Sequence, residues 1–433
     1  MTHVPARAET HGILSDPVLH HPHRPMPEPD GGLVSDPEIL LKAKGFDLQI
    51  EFFYNSRSDS DGPYGKGCSI SPACHILSST SDAVAGAVRG NERLFAFEAA
   101  GTSGATTSYD ADPGMNSGTS LVYDSGIGAF VETFADGKKI VYGENLGGAG
   151  QVKFGVSRIE DPSGNRHTYA YGTSAEAGLL KTIETPGGRK VTLNYQPSGG
   201  TTSLLSSIQD WTDRRWTFQY DADRRLTTMI EPLGCATRYA YSLAGTGSHT
   251  MLHVVEDNRG YATTYMYDSN RRVASMAAGA GIWEYGYGNT MVGGFNGQVQ
   301  TEPLGAETRY HIDGDGRVVK IDYPEGYSKT LVYDANGYKT KEIMPYGTVL
   351  SVSYDQYGLP LASDDPLGNR TLFQYDSNLN LTTLTDALNN VWKNAYDGNR
   401  RLISSTDPLG RVASTVYNAD GTVLAQIDPR GLR

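Results

Sequence analysis

The chain has only three cysteines, Cys68, Cys74 and Cys235, in 433 residues. They are too few and too dispersed for a disulfide framework or a Cys-x-x-Cys metal knuckle; one Cys68–Cys74 bridge, or free buried thiols as the simpler reading, are what remains. No apolar run reaches the roughly 18 residues of a membrane-spanning helix, and no apolar stretch near the N-terminus reads as a signal peptide. Basic charge is scarce: 37 Lys and Arg against 49 Asp and Glu leave a net charge of -12. Arg pairs such as Arg224-Arg225 and Arg271-Arg272 are scattered, so a phosphate backbone would be repelled and nucleic acid is not an expected partner. Hydrophobic residues make up only 38%, while 51 glycines and 27 tyrosines favour short strands and turns over long helices. The length exceeds one ordinary domain but suits a single elongated β architecture.

Three zones follow one another. Residues 1–30 hold six prolines and half of the ten histidines, including "HHPHRPMPEPD", and predict a disordered leader with little to bury. His20, His21 and His23 lack an acidic or Cys ligand at defined spacing, so a solvated tail is preferred to a metal site. Residues 31–160 read as an N-terminal β module. "FDLQIEFFYNSRS" from Phe46 has strand composition, "GAFVETFADGKKIVYG" from Gly128 reads as two strands joined at Asp136-Gly137, and Ala99 to Gly118 reads as a long surface loop. Residues 161–433 form a repeat array.

The repeat is the dominant signal. Gly305, Gly326, Gly347, Gly368, Asn389, Gly410 and Gly431 follow one another every 21 residues, and Gly164, Gly188, Asp213, Gly234, Gly260 and Gly281 continue the series upstream at wider spacing. This makes twelve repeats and the start of a thirteenth. Seven residues after the anchor stands Tyr171, Tyr195, Tyr220, Tyr241, Tyr267, Tyr333, Tyr354, Tyr375, Tyr396 or Tyr417, with Gly288 and Ile312 as exceptions. A large apolar residue commonly precedes the tyrosine by two, which places both on one face of a strand. Asp often follows the tyrosine, and Gly316, Gly337, Gly358 or Gly421 stands four residues after it. Each unit is thus strand, Asp-x-x-Gly turn, strand, and "DPLG" links it to the next. Arg224, Arg271 and Arg400 replace that glycine, either at a strain of roughly 1 kcal/mol or in a different loop. A lone hairpin is marginal in water, so neighbours must stack, and the ten tyrosines are structural rungs rather than catalytic groups. No catalytic, cofactor or metal residue is assigned.

Other motifs fail on their own chemistry. Gly65-Lys66 is followed by glycine rather than the Ser or Thr of a phosphate loop, "GGAGQVKFG" and "GAGIWEYG" lack the third dinucleotide glycine, and "RSDSDG" has Arg57 at the first position of an EF-hand loop. Paired carboxylates for glycoside hydrolysis are not ruled out by sequence, though turn capping explains most of them.

"YDANGYKT" at Tyr333, "YDGNRRL" at Tyr396 and "DPLGRVASTVYNADGTVL" at Asp407 resemble the YD repeats of the RHS family, which includes bacterial RHS toxins, wall-associated proteins, insecticidal toxin-complex subunits and animal teneurins. "YNSRSDSDGPYGKGCSIS" from Tyr54 is similar to the stretch that often precedes those repeats, with Cys68 where that pattern has Trp, which predicts looser seating. The resemblance implies an all-β fold of tandem hairpins forming a long, curved antiparallel sheet, part of a hollow shell or open spiral. It also implies a non-catalytic scaffold that encapsulates or presents a toxin or effector, at an extracellular or cell-surface location. Neither an RHS core region nor a toxin-like tail is found after the repeats; "DPRGLR" looks like the opening of another unit. A toxin domain or further C-terminal repeats are the expected partners.

A cell-surface carbohydrate-binding or adhesion module is the alternative, with Trp283, Tyr285 or Tyr287 stacking on sugars. A polysaccharide-active enzyme on a β-solenoid is a third, disfavoured because the turn interrupts each unit near its centre. Twenty-four strands at roughly 4.8 Å each make a strip of about 115 Å, which closed as a circle is about 37 Å across. That is about one turn.

Overall fold

The computed structural model describes residues 38–433 except 44–45, 80–83, 89–93, 112–118, 135–136, 148–150, 163, 198–201, 244–248, 292–294, 315–316, 356–357, 399 and 419–422. The leader 1–30 with its histidines, Asp136, Gly316, Gly421 and the tip of the Leu243 to His249 insertion therefore lie outside the described residues. Every strand pairing is antiparallel, and strands follow one another in the sheet in sequence order.

Residues 75–160 close on themselves. β6 (His75–Ser79), β7 (Val84–Val88), β8 (Leu94–Ser103), β9 (Thr106–Ala111), β10 (Thr119–Asp124), β11 (Ala129–Phe134), β12 (Lys139–Asn145) and β13 (Gln151–Glu160) make an eight-stranded barrel. Closure is made by β13 pairing back onto β6. Ala85 and Ala87 lie fully buried with Phe97, Phe130 and Tyr142, small residues making room for large ones as a narrow barrel requires. The loop expected between Ala99 and Gly118 is corrected here: residues to Ser103 and from Thr106 to Ala111 are a strand pair, whose Thr and Ser content suits an exposed sheet surface as well as a loop.

β13 is where the barrel becomes a strip. One edge carries β12; the other carries β6 along Gln151 to Gly155 and then β14 (Arg166–Tyr171) along Arg158 to Glu160. Ten residues give it room for both. From β14 to β37 (Val423–Ile427) the chain runs as twenty-four strands in twelve hairpins.

Burial along these strands alternates as the sequence pattern requires. In β18 (Arg215–Tyr220), Trp216 and Phe218 are buried while Arg215 and Gln219 are exposed. A separate three-stranded sheet of β1 (Glu38–Leu41), β2 (Leu48–Tyr54) and β5 (Cys68–Ile70) packs on the apolar face of the early hairpins. Ile39, Leu41, Ile50, Phe52 and Ile70 join Leu180, Ile183, Leu193, Ile208, Phe218, Leu252 and Tyr265 in one core. At roughly 1.5–3 kcal/mol per fully buried large side chain, this contact holds the N-terminal sheet as a plug against the strip. The core shared with the plug stops at Tyr285 and Tyr287, and from β26 (Glu307–Ile312) onward the same face is more polar, with Lys329 and Glu342 buried as an ion pair and Asn394 half-buried.

Candidate functional surface

One turn recurs in seven of the hairpins, at Asp221, Asp268, Asp313, Asp334, Asp355, Asp376 and Asp397. At Asp221 the backbone N–H donates to the Arg225 carbonyl at 3.0 Å, and Arg224 N–H donates to the Asp221 carbonyl at 3.1 Å. The Asp221 carboxylate accepts from the backbone N–H of Asp223 and Arg225 and from Arg225 Nε at 2.8 Å. The link turn at Asp407 repeats the same set with Leu409, Gly410 and Arg411. The two edges of the strip, read from sequence as different turns, share one five-residue loop. The Asp can be replaced by Glu231, Glu302, Tyr323 or Met344, because the same two backbone bonds form in those turns.

The fourth turn residue needs a left-handed backbone. Glycine supplies it at most turns, while Arg224 (φ 67), Arg271 (φ 62) and Arg400 (φ 62) adopt it themselves, so the strained alternative holds. Arg224 and Arg271 have a compensating use. Arg224 donates to Asp61 at 2.7 Å and to the Thr202 and Gly62 carbonyls, and its own carbonyl accepts from Lys66 N–H at 3.0 Å. Arg271 donates to Asp59 at 2.6 Å and to the Arg57 carbonyl, and its carbonyl accepts from Ser56. The stretch from Ser56 to Lys66 is therefore clipped along the hairpin-turn edge.

Each tyrosine lies next to a β-bulge. Gln219 faces Thr228 and Tyr220 faces Leu226, so Thr227 is the extra residue; its hydroxyl donates back to the Gln219 carbonyl at 3.1 Å. The tyrosine of the next hairpin then reaches the carbonyl beside the bulge. Tyr195 donates to Leu180, Tyr241 to Leu226, Tyr267 to Leu252, Tyr333 to Val318, Tyr396 to Leu381 and Tyr417 to Leu402, all between 2.6 and 3.0 Å. Tyr171 lies against Gly155, and Tyr354 packs on Tyr338 with ring centroids 5.3 Å apart. The hydroxyls of Tyr220 and Tyr375 are buried with no hydrogen-bond partner.

Two features escaped the sequence reading. Where Gly288 breaks the tyrosine series, Tyr287 supplies the hydroxyl, donating to the Val273 carbonyl at 2.7 Å. In four hairpin turns the fifth residue is an arginine that pairs with the turn Asp and lies over the next tyrosine: Arg225 over Tyr241, Arg272 over Tyr287, Arg317 over Tyr333 and Arg401 over Tyr417, at 4.4 to 5.5 Å from the ring centroid. An Arg five residues after the tyrosine was the visible signal.

The sugar-stacking candidates are not exposed as expected. Tyr285 is buried, and Trp283 and Tyr287 are half-buried against the core, because their strand lies where the plug still covers the strip. Burial also pushes tyrosine hydroxyls up, to about 12 at Tyr310 and Tyr354 and further at Tyr195, Tyr220 and Tyr241, so these groups stay protonated near neutral pH and offer no phenolate base. Among the described residues, no group of three or more His, Cys, Asp or Glu is placed to hold a metal ion. No disulfide joins Cys68, Cys74 and Cys235, and the Cys74 thiol donates to the Ser71 carbonyl at 2.9 Å. Cys68 is buried beside a cavity of about 20 Å³ lined by Phe52, Tyr54, Leu226, Tyr239, Tyr241 and Leu252. The small side chain leaves little space unfilled.

A strip of bulged hairpins with one turn on both edges and a tyrosine stitch between neighbours defines a tandem β-hairpin repeat protein. The family model "RHS Repeat" matches residues 375–412, two hairpins of the series. Residues 375–412 thus carry an RHS repeat, and the same period and turn recur in the neighbouring hairpins.

Its likeness to a curated relative, double-stranded DNA deaminase toxin A of Burkholderia cenocepacia (strain H111), is 28% identity over 154 residues, which is 34% of this chain and 10% of that protein. Among solved structures it is similar to the TcdB2-TccC3-Cdc42 crystal structure, with a TM-score of 0.45 and 11% identity over 96% of this chain and 25% of that one. It is also similar to the N-terminal domain of the effector SpvB from Salmonella typhimurium strain LT2, with a TM-score of 0.31 and 12% identity over 52% of this chain and 99% of that one. The chain thus spans about a tenth of the curated relative and a quarter of the first of these structures.

Proposed function

We propose that the strip is a segment of container wall, its inner face surrounding a toxin or effector polypeptide, in a secreted or contact-dependent system. The observation that carries this reading is the contrast along one face of one sheet. The early hairpins share one apolar core with the plug sheet, while the later ones, beyond that core, bury the Lys329–Glu342 ion pair and hold half-buried Asn394 among apolar side chains of the same face. A face meant only for a core would stay apolar; a face meant for solvent alone would not keep Leu331, Val352 and Phe373.

The likeness to a deaminase toxin supports a toxin context without assigning that activity here. The wall itself needs no catalytic group, and any chemistry would belong to the enclosed polypeptide. No observation favours the glycan-binding alternative once its aromatics are found covered. The test is limited proteolysis of the polypeptide as its source makes it, followed by mass spectrometry. A fragment outside the repeats that resists cleavage until the strip is unfolded supports enclosure; immediate cleavage of everything outside the repeats contradicts it.

A further inference from the structure

The strip comes back onto its own beginning at the turn of its eleventh hairpin, between β34 (Val391–Tyr396) and β35 (Leu402–Thr406). A Cβ on Gly137 would lie 2.7 Å from Arg400 Nη2 and 3.2 Å from Pro162 Cγ, so the guanidinium rests against Gly137 with Pro162 alongside. Gly137 closes the β11–β12 turn of the barrel, Pro162 lies in the link turn at Asp161, and the pairing of Lys139 with Glu160 sets these two turns side by side. Both residues are buried. The hairpin-turn edge of the late strip thus lies on the link-turn edge of its start, and one coil is complete.

Arg400 is aimed at this contact from its own side of the seam. The tenth hairpin, β32 (Arg370–Tyr375) and β33 (Leu381–Thr385), turns through Leu379, which holds φ 64. The residues on either side of Leu379 hold the guanidinium: Nη2 donates to the Asn378 carbonyl and Nε to Asn380 Oδ1 at 3.4 Å. Asn380 is buried and donates in turn to the Asp376 carboxylate at 3.0 Å, so this acceptor is itself fixed. The turn does not ask for arginine. Its φ of 62 is a backbone that glycine takes without strain, as Gly337 and Gly358 do in sister turns. At Arg224 and Arg271 the same departure from glycine goes with a side chain that binds a second segment, the clip. At Arg400 the second segment is the start of the coil.

The seam is joined differently from the rest of the coil. Successive strands from β6 to β37 are zipped by backbone ladders, but among the described residues no ladder joins the tenth and eleventh hairpins to β11, β12, β13 or β14. The apolar core does not bridge the seam either, since its last members are Tyr285 and Tyr287. We infer that Arg400 is a latch: its guanidinium, aimed by Asn378 and Asn380, seats the returning hairpins on the Gly137 turn, and the coil opens and closes at this seam. Opening there breaks no strand pairing, whereas parting the strip between any two successive strands strips a whole ladder of its backbone partners. The late hairpins would swing away from the barrel as one unit, with their own sheet intact. Arg400 acts as a positioning residue, and the latch works the same whatever the coil contains.

Double electron–electron resonance on the full chain tests this, with nitroxides at Thr168→Cys in β14 and Ser377→Cys in the tenth hairpin turn, two exposed positions on the two passes of the strip. Cys68 and Cys74 are buried, and Cys235→Ser removes the half-exposed thiol. The parent should give one narrow distance distribution. Arg400→Gly should add a longer component, several-fold larger than any in the parent, because the packing of the guanidinium and its stem on the first pass is gone. Amide exchange at Asp397 should hold or slow in the same variant, since glycine relieves the left-handed turn; this shows the hairpin intact and separates the latch from a role in the turn alone. Arg271→Gly, the same change at a clip turn, should leave the distances as in the parent. Unchanged distances in Arg400→Gly, or equal broadening in Arg271→Gly, would overturn the inference, as would a parent already spread over long distances.

Discussion

Replacing Tyr241 and Tyr220 by phenylalanine separates what the tyrosine ring does from what its hydroxyl does. Tyr241 donates to the Leu226 carbonyl at 2.9 Å, while its ring lies 6.1 Å from Tyr54 and 5.5 Å from Arg225. Tyr241→Phe keeps the ring contacts and leaves the carbonyl of a buried residue without its donor. A net hydrogen bond contributes about 0.5–1.5 kcal/mol and an orphaned buried acceptor costs about 1–3, so the expected loss is about 1–2 kcal/mol. Tyr220→Phe removes a buried hydroxyl that has no partner, and should be neutral or stabilising by up to about 1 kcal/mol. A repeat array need not unfold in one step, so the readout is amide hydrogen exchange between Leu226 and Leu252 rather than a single melting point. Protection there should fall about 5- to 30-fold in Tyr241→Phe and hold or rise in Tyr220→Phe. Equal losses in both variants would refute the stitch and leave only ring packing.

Gly65 has φ +104, and a Cβ there would lie 3.0 Å from the Tyr220 ring and 3.1 Å from the Arg224 carbonyl. Gly65→Ala should cost about 2 kcal/mol at the clip, seen as faster tryptic cleavage after Arg57 and Lys66; unchanged cleavage would count against the docking. Arg224→Ala, which strips donors from Asp61 and two carbonyls, should destabilise by about 2–3 kcal/mol. Asp59→Ala, at a largely exposed carboxylate, should cost under about 1 kcal/mol, and urea titration would distinguish them. Burial lowers His167 and His75 to about 4, so the folded chain binds fewer protons than the unfolded one. Their contribution is complete above pH about 6.5, falls as pH drops toward 4 and is flat below; the melting temperature should follow, less steeply in His167→Gln. The groups facing His167 are Phe46, Asp47 and Lys138.

The hairpin array was legible because its cause is local and repeated. Tyr333, Asp334 and Gly337 each show their role within five residues, and twenty-one-residue spacing multiplies the signal. The closed barrel was not, because nothing in Gln151 to Gly155 announces that it will pair with His75 to Ser79, more than seventy residues earlier. Closure depends on long-range register, which alternation in one strand does not encode. The clip was half legible. "SRSDSDGPYGKG" displayed its turns but not that Asp59 and Asp61 would meet Arg271 and Arg224, and the arginines read as faults in a glycine pattern until their partners appeared. The exchange of Tyr287 for position 288 was hidden for a similar reason: a one-residue slip is invisible to a rule written in fixed spacing.

The central claim is that these hairpins form a wall around another polypeptide, and electron cryo-microscopy of the protein as its source makes it tests that most directly. The account predicts a coil with the plug sheet seated on the early hairpins and density of a non-repeat polypeptide against the inner face of the later hairpins, on the side of Leu331, Val352 and Phe373. A strip whose inner face meets only solvent, with every non-repeat segment lying outside the coil, would contradict it.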